Sequence, residues 1–286
     1  MNRLWGEPCR NLRDYLRRVL DNLRARIARR LRQPKPIDEA PLIAQLARSA
    51  EEAALPMPPA DIRYRIVSRP LGEYDYLRVG IDARTSIEEA LAVAGTRIDD
   101  IRSVLDWGVG CSRIMRQWAP LFGEISFTGT DIDQGMIDWD VANVAGPRFA
   151  VNGAEPPLPC GDEEFDLAYG ASVFTHLDEA MQQRWLAELA RVLKPGGVLL
   201  LSTHGPSVFE LNRHTFSEAE AASFRDNGFV YIRNIVDGVL PDWYQTSFQT
   251  SDHVRRTFGQ HFDVIDHVAK GMTGFQDLAI CRKPTP

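Results

Sequence analysis

Between residues 103 and 203 the chain alternates short apolar runs with amphipathic ones, and this constrains its fold more than any other feature. Strand-like runs are Ser103–Asp106, Ser126–Thr130, Arg148–Val151, Phe165–Tyr169 and Val198–Thr203. Helical patterns lie between them at Arg113–Leu121, Gln134–Val144 and Asp178–Leu193. In the last, Met181, Trp185, Leu189, Val192 and Leu193 mark one buried face, and Lys194-Pro195-Gly196-Gly197 stops the helix and turns the chain into the next strand. Strands fed in turn by helices pair in parallel, with helices on both faces. Such sheets take ligands beyond the carboxyl ends of their strands. Two later strand-like runs, Phe262–Val268 and Gln276–Arg282, are joined only by residues 269–275, too few for a crossover helix, so they must be antiparallel. The expected fold is α/β, a doubly wound sheet, mostly parallel, closed by an antiparallel C-terminal hairpin.

Charge narrows the range of ligands. The 286 residues carry a net charge of −6, but Met1–Arg32 hold ten Arg against Glu7, Asp14 and Asp21, or 10 − 3 = +7. The remainder is then −6 − 7 = −13. An acidic body suits nucleic acid poorly, because such binding depends on neutralising phosphates. Cys9, Cys111, Cys160 and Cys281 form no C-x-x-C pair, which points to a reducing cytoplasm instead of a disulfide or zinc framework.

The stretch SVLDWGVGCSR, Ser103–Arg113, ends the first strand on an acid followed by two glycines. Glycines let a backbone approach a ligand closely, and a helix starting after them would offer free N–H donors. A dinucleotide fingerprint would want a third glycine where Arg113 stands. Asp106, at the strand tip, can attract an ammonium group. Asp131 ends the second strand, where a carboxylate can accept from both hydroxyls of a ribose. A ligand with a ribose and a positively charged tail fits both acids, and S-adenosylmethionine is such a ligand.

With these motifs in place, the chain resembles the class I S-adenosylmethionine-dependent methyltransferases over about residues 86–286. Val104–Ser112 is similar to their glycine motif, Gly129–Met136 to the acidic second-strand motif, Phe165–Leu177 to the fourth-strand motif, and Leu193–Gly197 to the turn before the fifth strand. The resemblance implies a Rossmann-like fold with S-adenosylmethionine as cofactor. It implies that Asp106, Gly108, Val109 and Gly110 line the methionine part. Asp131, with Ile132 beside it, would hold the ribose; Asn152, Gly153 and Ala154 would border the adenine; Gly170 would offer a carbonyl to the amino group. Two departures stand out: Asn152–Glu155 replace an acid common near the adenine, and Cys111-Ser112 replace a motif glycine.

Methyl transfer to a hydroxyl calls for a base within hydrogen-bond reach. His204 follows the fifth strand and His176 the fourth; His204 is the favoured base, His176 is read first as a cap or packed neighbour, and Tyr244 as a supporting contact. Ser172 and Thr175 occupy the places where some family members carry metal-binding acids, so no metal is expected. About 45 residues, roughly 205–250, form an inserted lid holding Trp243, Tyr244, Gln245 and Gln249, aromatic faces and amides that suit a sugar. Ser172–Leu177, Leu201–Gly205, Leu240–Phe248 and Gln276–Leu278 are also similar to bacterial methyltransferases met beside glycan-assembly enzymes. The expected activity is O-methylation of a small-molecule, sugar or lipid-linked glycan acceptor. N- or carboxyl methylation, a non-catalytic tethered scaffold and a nicotinamide dehydrogenase are the alternatives.

Three parts are expected: a basic amphipathic helix over residues 1–33, a helical or irregular extension over 34–85, and the methyltransferase domain over 86–286, opened by a capping box of Ser86 with Glu89. For residues 10–32, packing on the chain's own domain, peripheral membrane contact and self-association stay open, as does the oligomeric state. The expected location is cytoplasmic, with membrane association if that helix lies on lipid.

Overall fold

The structure is a computed structural model and describes residues 54–67, 70–233 and 243–286, all within one compact unit. The basic amphipathic helix expected over residues 1–33 lies outside the described residues. Two helices come first, α1 (Ala60–Val67) and α2 (Glu73–Val93). The strands are β1 (Ser103–Trp107), β2 (Ser126–Asp131), β3 (Arg148–Val151), β4 (Phe165–Gly170), β5 (Leu193–Thr203), β6 (Phe229–Ile232), β7 (Thr246–Gln249), β8 (Asp263–Met272) and β9 (Gln276–Arg282). Between them run α3 (Gln134–Asn143), α4 (Glu179–Val192), α5 (Pro206–Asn212), α6 (Glu218–Asn227) and α7 (Ser251–Phe258).

Seven strands form one sheet in the order β3-β2-β1-β4-β5-β9-β8. All neighbours are parallel except β9, which runs antiparallel to both β5 and β8. The order reverses between β1 and β4, so the crevice of an open α/β sheet falls beyond the tips of those strands. Alternation along each strand divides the core in two. Val104, Leu167, Tyr169, Leu200 and Ile280 face one layer with Ile87, Leu91 and Trp118. Leu105, Ala168, Leu199, Leu201 and Cys281 face the other, with Trp185, Leu189, Val254 and Phe258. Burying each large apolar side chain is worth about 1.5–3 kcal/mol, and both layers must be filled for the sheet to persist.

Four local expectations change. Ser86 does not start a helix; it sits inside α2, its hydroxyl donating to the carbonyl of Asp82. Since α2 supplies Ala83, Ile87, Ala90 and Leu91 to the main core, residue 86 is no boundary. The expected helix at Arg113–Leu121 is a run of 3-10 turns, Met115–Leu121, containing Pro120. Lys194–Gly197 lie within β5 instead of forming a turn before it. A capping box of Ser217 with Glu220 does form at α6.

The insertion after β5 has its own small core. α5 and α6 pack Val208, Phe209, Phe216, Ala221 and Phe224 against Val230, Ile232 and Phe248 of the β6–β7 ribbon.

Candidate active site

Beyond the tips of β1, β2, β3 and β4 lies a cleft of about 440 Å³, in the range of small-molecule sites. It is lined by Asp106, Gly108, Val109, Gly110, Asp131, Ile132, Asn152, Gly153 and Ala154. Nine of the ten residues expected at a cofactor therefore meet in one place. Gly170 is the exception. It pairs with Leu201 inside the sheet, packed against Trp107, and the wall there is made by Ala171, Ser172 and Val173.

The glycine turn is built by left-handed backbone. Gly108 has φ +81°, Gly110 φ +61°, and Ser112, where the motif glycine is missing, still adopts φ +57°. At Gly108 a Cβ would stand 2.2 Å from Val173 Cγ2, so the turn passes too close to the β4 loop for any side chain. The turn is tied to β2: the amides of Gly108 and Val109 donate to the carbonyl of Thr130 at 2.8 and 3.0 Å.

Asp131 is held by two backbone amides. Its Oδ2 accepts from Gly110 N and its Oδ1 from Asp133 N, each at 2.9 Å. Asp133 caps α3, accepting from Gly135 N and Met136 N. Asp106 is 2% exposed and accepts from the Tyr169 hydroxyl at 2.6 Å. Burial pushes its carboxyl up to about 7; the Tyr169 bond opposes this, and neighbouring Asp131 adds to it. A cation delivered to Asp106 would favour its charged form and oppose that rise.

A ribosyl sulfonium cofactor can be tested against these groups. Asn152 donates from Nδ2 to Gly153 O at 2.7 Å, while its buried Oδ1 has no partner among the described residues. An orphaned acceptor at the tip of β3 suits an exocyclic amine. The amide-held Asp131 suits a ribose diol, and the buried Asp106 suits an ammonium. The donor set fits S-adenosylmethionine.

The two histidines exchange their expected standing. His176, in the 3-10 turn Phe174–His176, lines the cleft; His204 does not. His176 Nδ1 meets the carbonyl of Gln245 at 2.7 Å. A carbonyl can only accept, so Nδ1 carries the proton and Nε2 the lone pair. No hydrogen bond to Nε2 is made by a described residue. The ring stacks on Tyr244, centroids 4.1 Å apart at 16°. His204 sits 6.4 Å behind, centroid to centroid. Ser172 Oγ donates to Gln276 Oε1 at 3.1 Å, which turns Gln276 Nε2 toward His204 Nε2 at 3.3 Å. The lone pair of His204 is thereby used. Burial lowers both rings to about 4, with His176 adding to the fall at His204. The signal that separates them, the Gln245 carbonyl, is a backbone group 69 residues away and invisible in the sequence.

The fold is the Rossmann-like fold of the S-adenosylmethionine-dependent methyltransferases, and Val104–Gly197 match the family model described as "Methyltransferase domain". Among relatives, the malonyl-[acyl-carrier protein] O-methyltransferase of Dechloromonas aromatica is 30% identical over 117 residues, 41% of this chain and 42% of that one. Its counterpart in Hahella chejuensis is 32% identical over 105 residues, 36% of each chain. The chain thus spans less than half the length of these curated relatives. In structure, the PH0226 protein of Pyrococcus horikoshii superimposes with a TM-score of 0.51 at 17% identity, over 77% of this chain and 98% of that one. It shares the fold. Among the described residues no helix is long and apolar enough to cross a membrane.

Proposed function

We propose that the protein methylates a hydroxyl oxygen of a small, uncharged acceptor of sugar or glycan type, with His176 as base and Tyr244 as its positioning contact. When bound, S-adenosylmethionine supplies an electrophilic methyl group and leaves as the neutral thioether. Asp106, Asp131 and Asn152 would hold it, and the Gly108–Gly110 turn would let it lie close to the sheet. The observation that carries the reading is the single free lone pair at His176 Nε2, with its tautomer fixed from behind by the Gln245 carbonyl. An acceptor O–H donating to that nitrogen is brought to one wall of the cleft. As the hydroxyl oxygen gains the methyl as a third substituent it becomes an oxonium whose proton is strongly acidic, so a base near 4 suffices to take it. The ring then releases the proton to solvent.

The curated relatives favour a second reading, transfer to a carboxylate, because their printed substrate is a malonyl group. A carboxylate would want a free cation on the acceptor side. Of the two arginines lining the cleft, Arg65 is paired with Asp133 at 2.9 Å and Arg113 stands at the glycine turn beside Asp106, on the cofactor side, while burial keeps His176 neutral. This supports the hydroxyl. Matched panels of hydroxylated acceptors and carboxylates, assayed with methyl-tritiated cofactor, separate the two. Label in a base-stable ether supports hydroxyl transfer; label released as methanol by mild base supports the carboxylate.

A further inference from the structure

Cys111 and Ser112 stand where a motif glycine is missing, yet Ser112 holds φ +57°. A left-handed serine is strained and persists only where its surroundings over-determine it. The peptide between the two residues shows what does so. Its amide, Ser112 N, donates to the carbonyl of Val109 at 3.1 Å. Its carbonyl, Cys111 O, accepts from the hydroxyl of Tyr76 at 2.6 Å. A peptide unit is planar, so holding both ends stops it from rotating, and that rotation is the motion that would carry Ser112 out of the left-handed region.

Tyr76 belongs to α2 and precedes the matched residues Val104–Gly197. It is fully buried, and burial holds its hydroxyl above the ordinary tyrosine value, so the group stays protonated and donates. The Arg116 guanidinium lies over its ring at 5.6 Å while donating to the carbonyls of Leu55 and Pro56. Gly80, four residues on, shares the helix face of Tyr76, and a Cβ there would stand 2.3 Å from the carbonyl oxygen of Arg113. The missing side chain lets α2 come close enough for the hydroxyl to reach the turn.

We infer that Tyr76 is a positioning residue for the cofactor: its hydroxyl fixes the Cys111–Ser112 peptide, and so holds a turn that a glycine at the missing motif position would hold unaided. Tyr76 does not line the cleft, so it acts through the turn. This rests on the cofactor reading above.

The test uses the full chain and two readouts. The first is calorimetric titration with S-adenosylhomocysteine. Tyr76→Phe deletes one hydroxyl and should weaken binding about fivefold, the size of one lost hydrogen bond. Combined with Ser112→Gly, which removes the strain, the same change should cost less than about twofold. The second readout needs no ligand: the rate at which iodoacetamide labels Cys111 and Cys281, both buried, followed peptide by peptide by mass spectrometry. Tyr76→Phe should speed labelling of Cys111, in the turn, and leave Cys281, in β9, unchanged. Faster labelling of both cysteines together would mean a general loss of stability and overturn the assignment. Unchanged affinity in Tyr76→Phe, or an equal loss with and without Ser112→Gly, would overturn it too. Failure of the unmodified chain to bind S-adenosylhomocysteine would overturn the cofactor reading itself, while the labelling still decides whether Tyr76 holds the turn.

Discussion

The ring of His176, at the end of the β4 loop, donates from Nδ1 to the backbone carbonyl of Gln245, in the insertion, at 2.7 Å. This hydrogen bond ties the β4 loop to the insertion and sets which nitrogen of the ring can act. Replacing His176 by alanine should lower kcat for a hydroxyl acceptor by roughly 10²–10⁴-fold, the span of general base catalysis, while S-adenosylhomocysteine affinity stays near wild type. His204→Ala should cost much less, because its lone pair is already engaged by Gln276. Steady-state kinetics beside calorimetry checks both; a larger loss at His204 would reverse the assignment.

The pH profile should split in two. With its ring lowered to about 4, His176 is neutral across the physiological range, so kcat should hold well below the ordinary histidine value near 6.5. Asp106 behaves oppositely. Its carboxyl, raised by burial to about 7, must lose a proton to receive an ammonium. Cofactor affinity should therefore climb by up to about tenfold per pH unit on the approach to 7 from below, then level off. Titrations at pH 5.5, 6.5 and 8 in buffers of different ionisation enthalpy measure the affinity and the proton released. Flat affinity with no proton release contradicts this role for Asp106.

Gly108→Ala places a Cβ 2.2 Å from Val173 Cγ2 and forces alanine into φ +81°. Cofactor affinity should fall by at least tenfold. The double variant Gly108→Ala with Val173→Ala removes the clash but keeps the backbone strain, which costs about 1–3 kcal/mol, so it should recover affinity only in part. Full recovery would show that the left-handed geometry is not needed.

Leu91 is fully buried in the core beside Ile87 and Trp118. Leu91→Ala should destabilise by about 2–5 kcal/mol, read by urea denaturation. A chain begun at residue 86 should fail to fold, since it removes the first thirteen residues of α2 and cuts that helix in the middle.

Most of the sheet was legible because its signals are local: apolar runs of strand length and a C-terminal connection too short to cross over. The cofactor side was legible for the same reason, since strand tips collect residues that each follow an apolar run. What escaped is set at a distance. Ser86 followed by Glu89 satisfies a capping pattern, but the helix through it is held by core contacts from Ala83 to Leu91 that override the local preference. Gly170 was expected to offer a carbonyl from its place in the fourth-strand motif, but its seat inside the sheet depends on the register with Leu201 of β5. Which of His176 and His204 meets the cleft depends on two partners, Gln245 and Gln276, far along the chain from both rings.

The central claim is that the cleft between β1 and β4 holds S-adenosylmethionine through Asp131. Its most direct test is calorimetric titration of the purified chain with S-adenosylhomocysteine and, separately, NADH, repeated on Asp131→Ala. Binding of the adenosyl ligand alone, weakened at least tenfold in the variant, about 1.4 kcal/mol, is the predicted result. Binding of NADH in its place, or S-adenosylhomocysteine bound equally well without the Asp131 carboxylate, would contradict it.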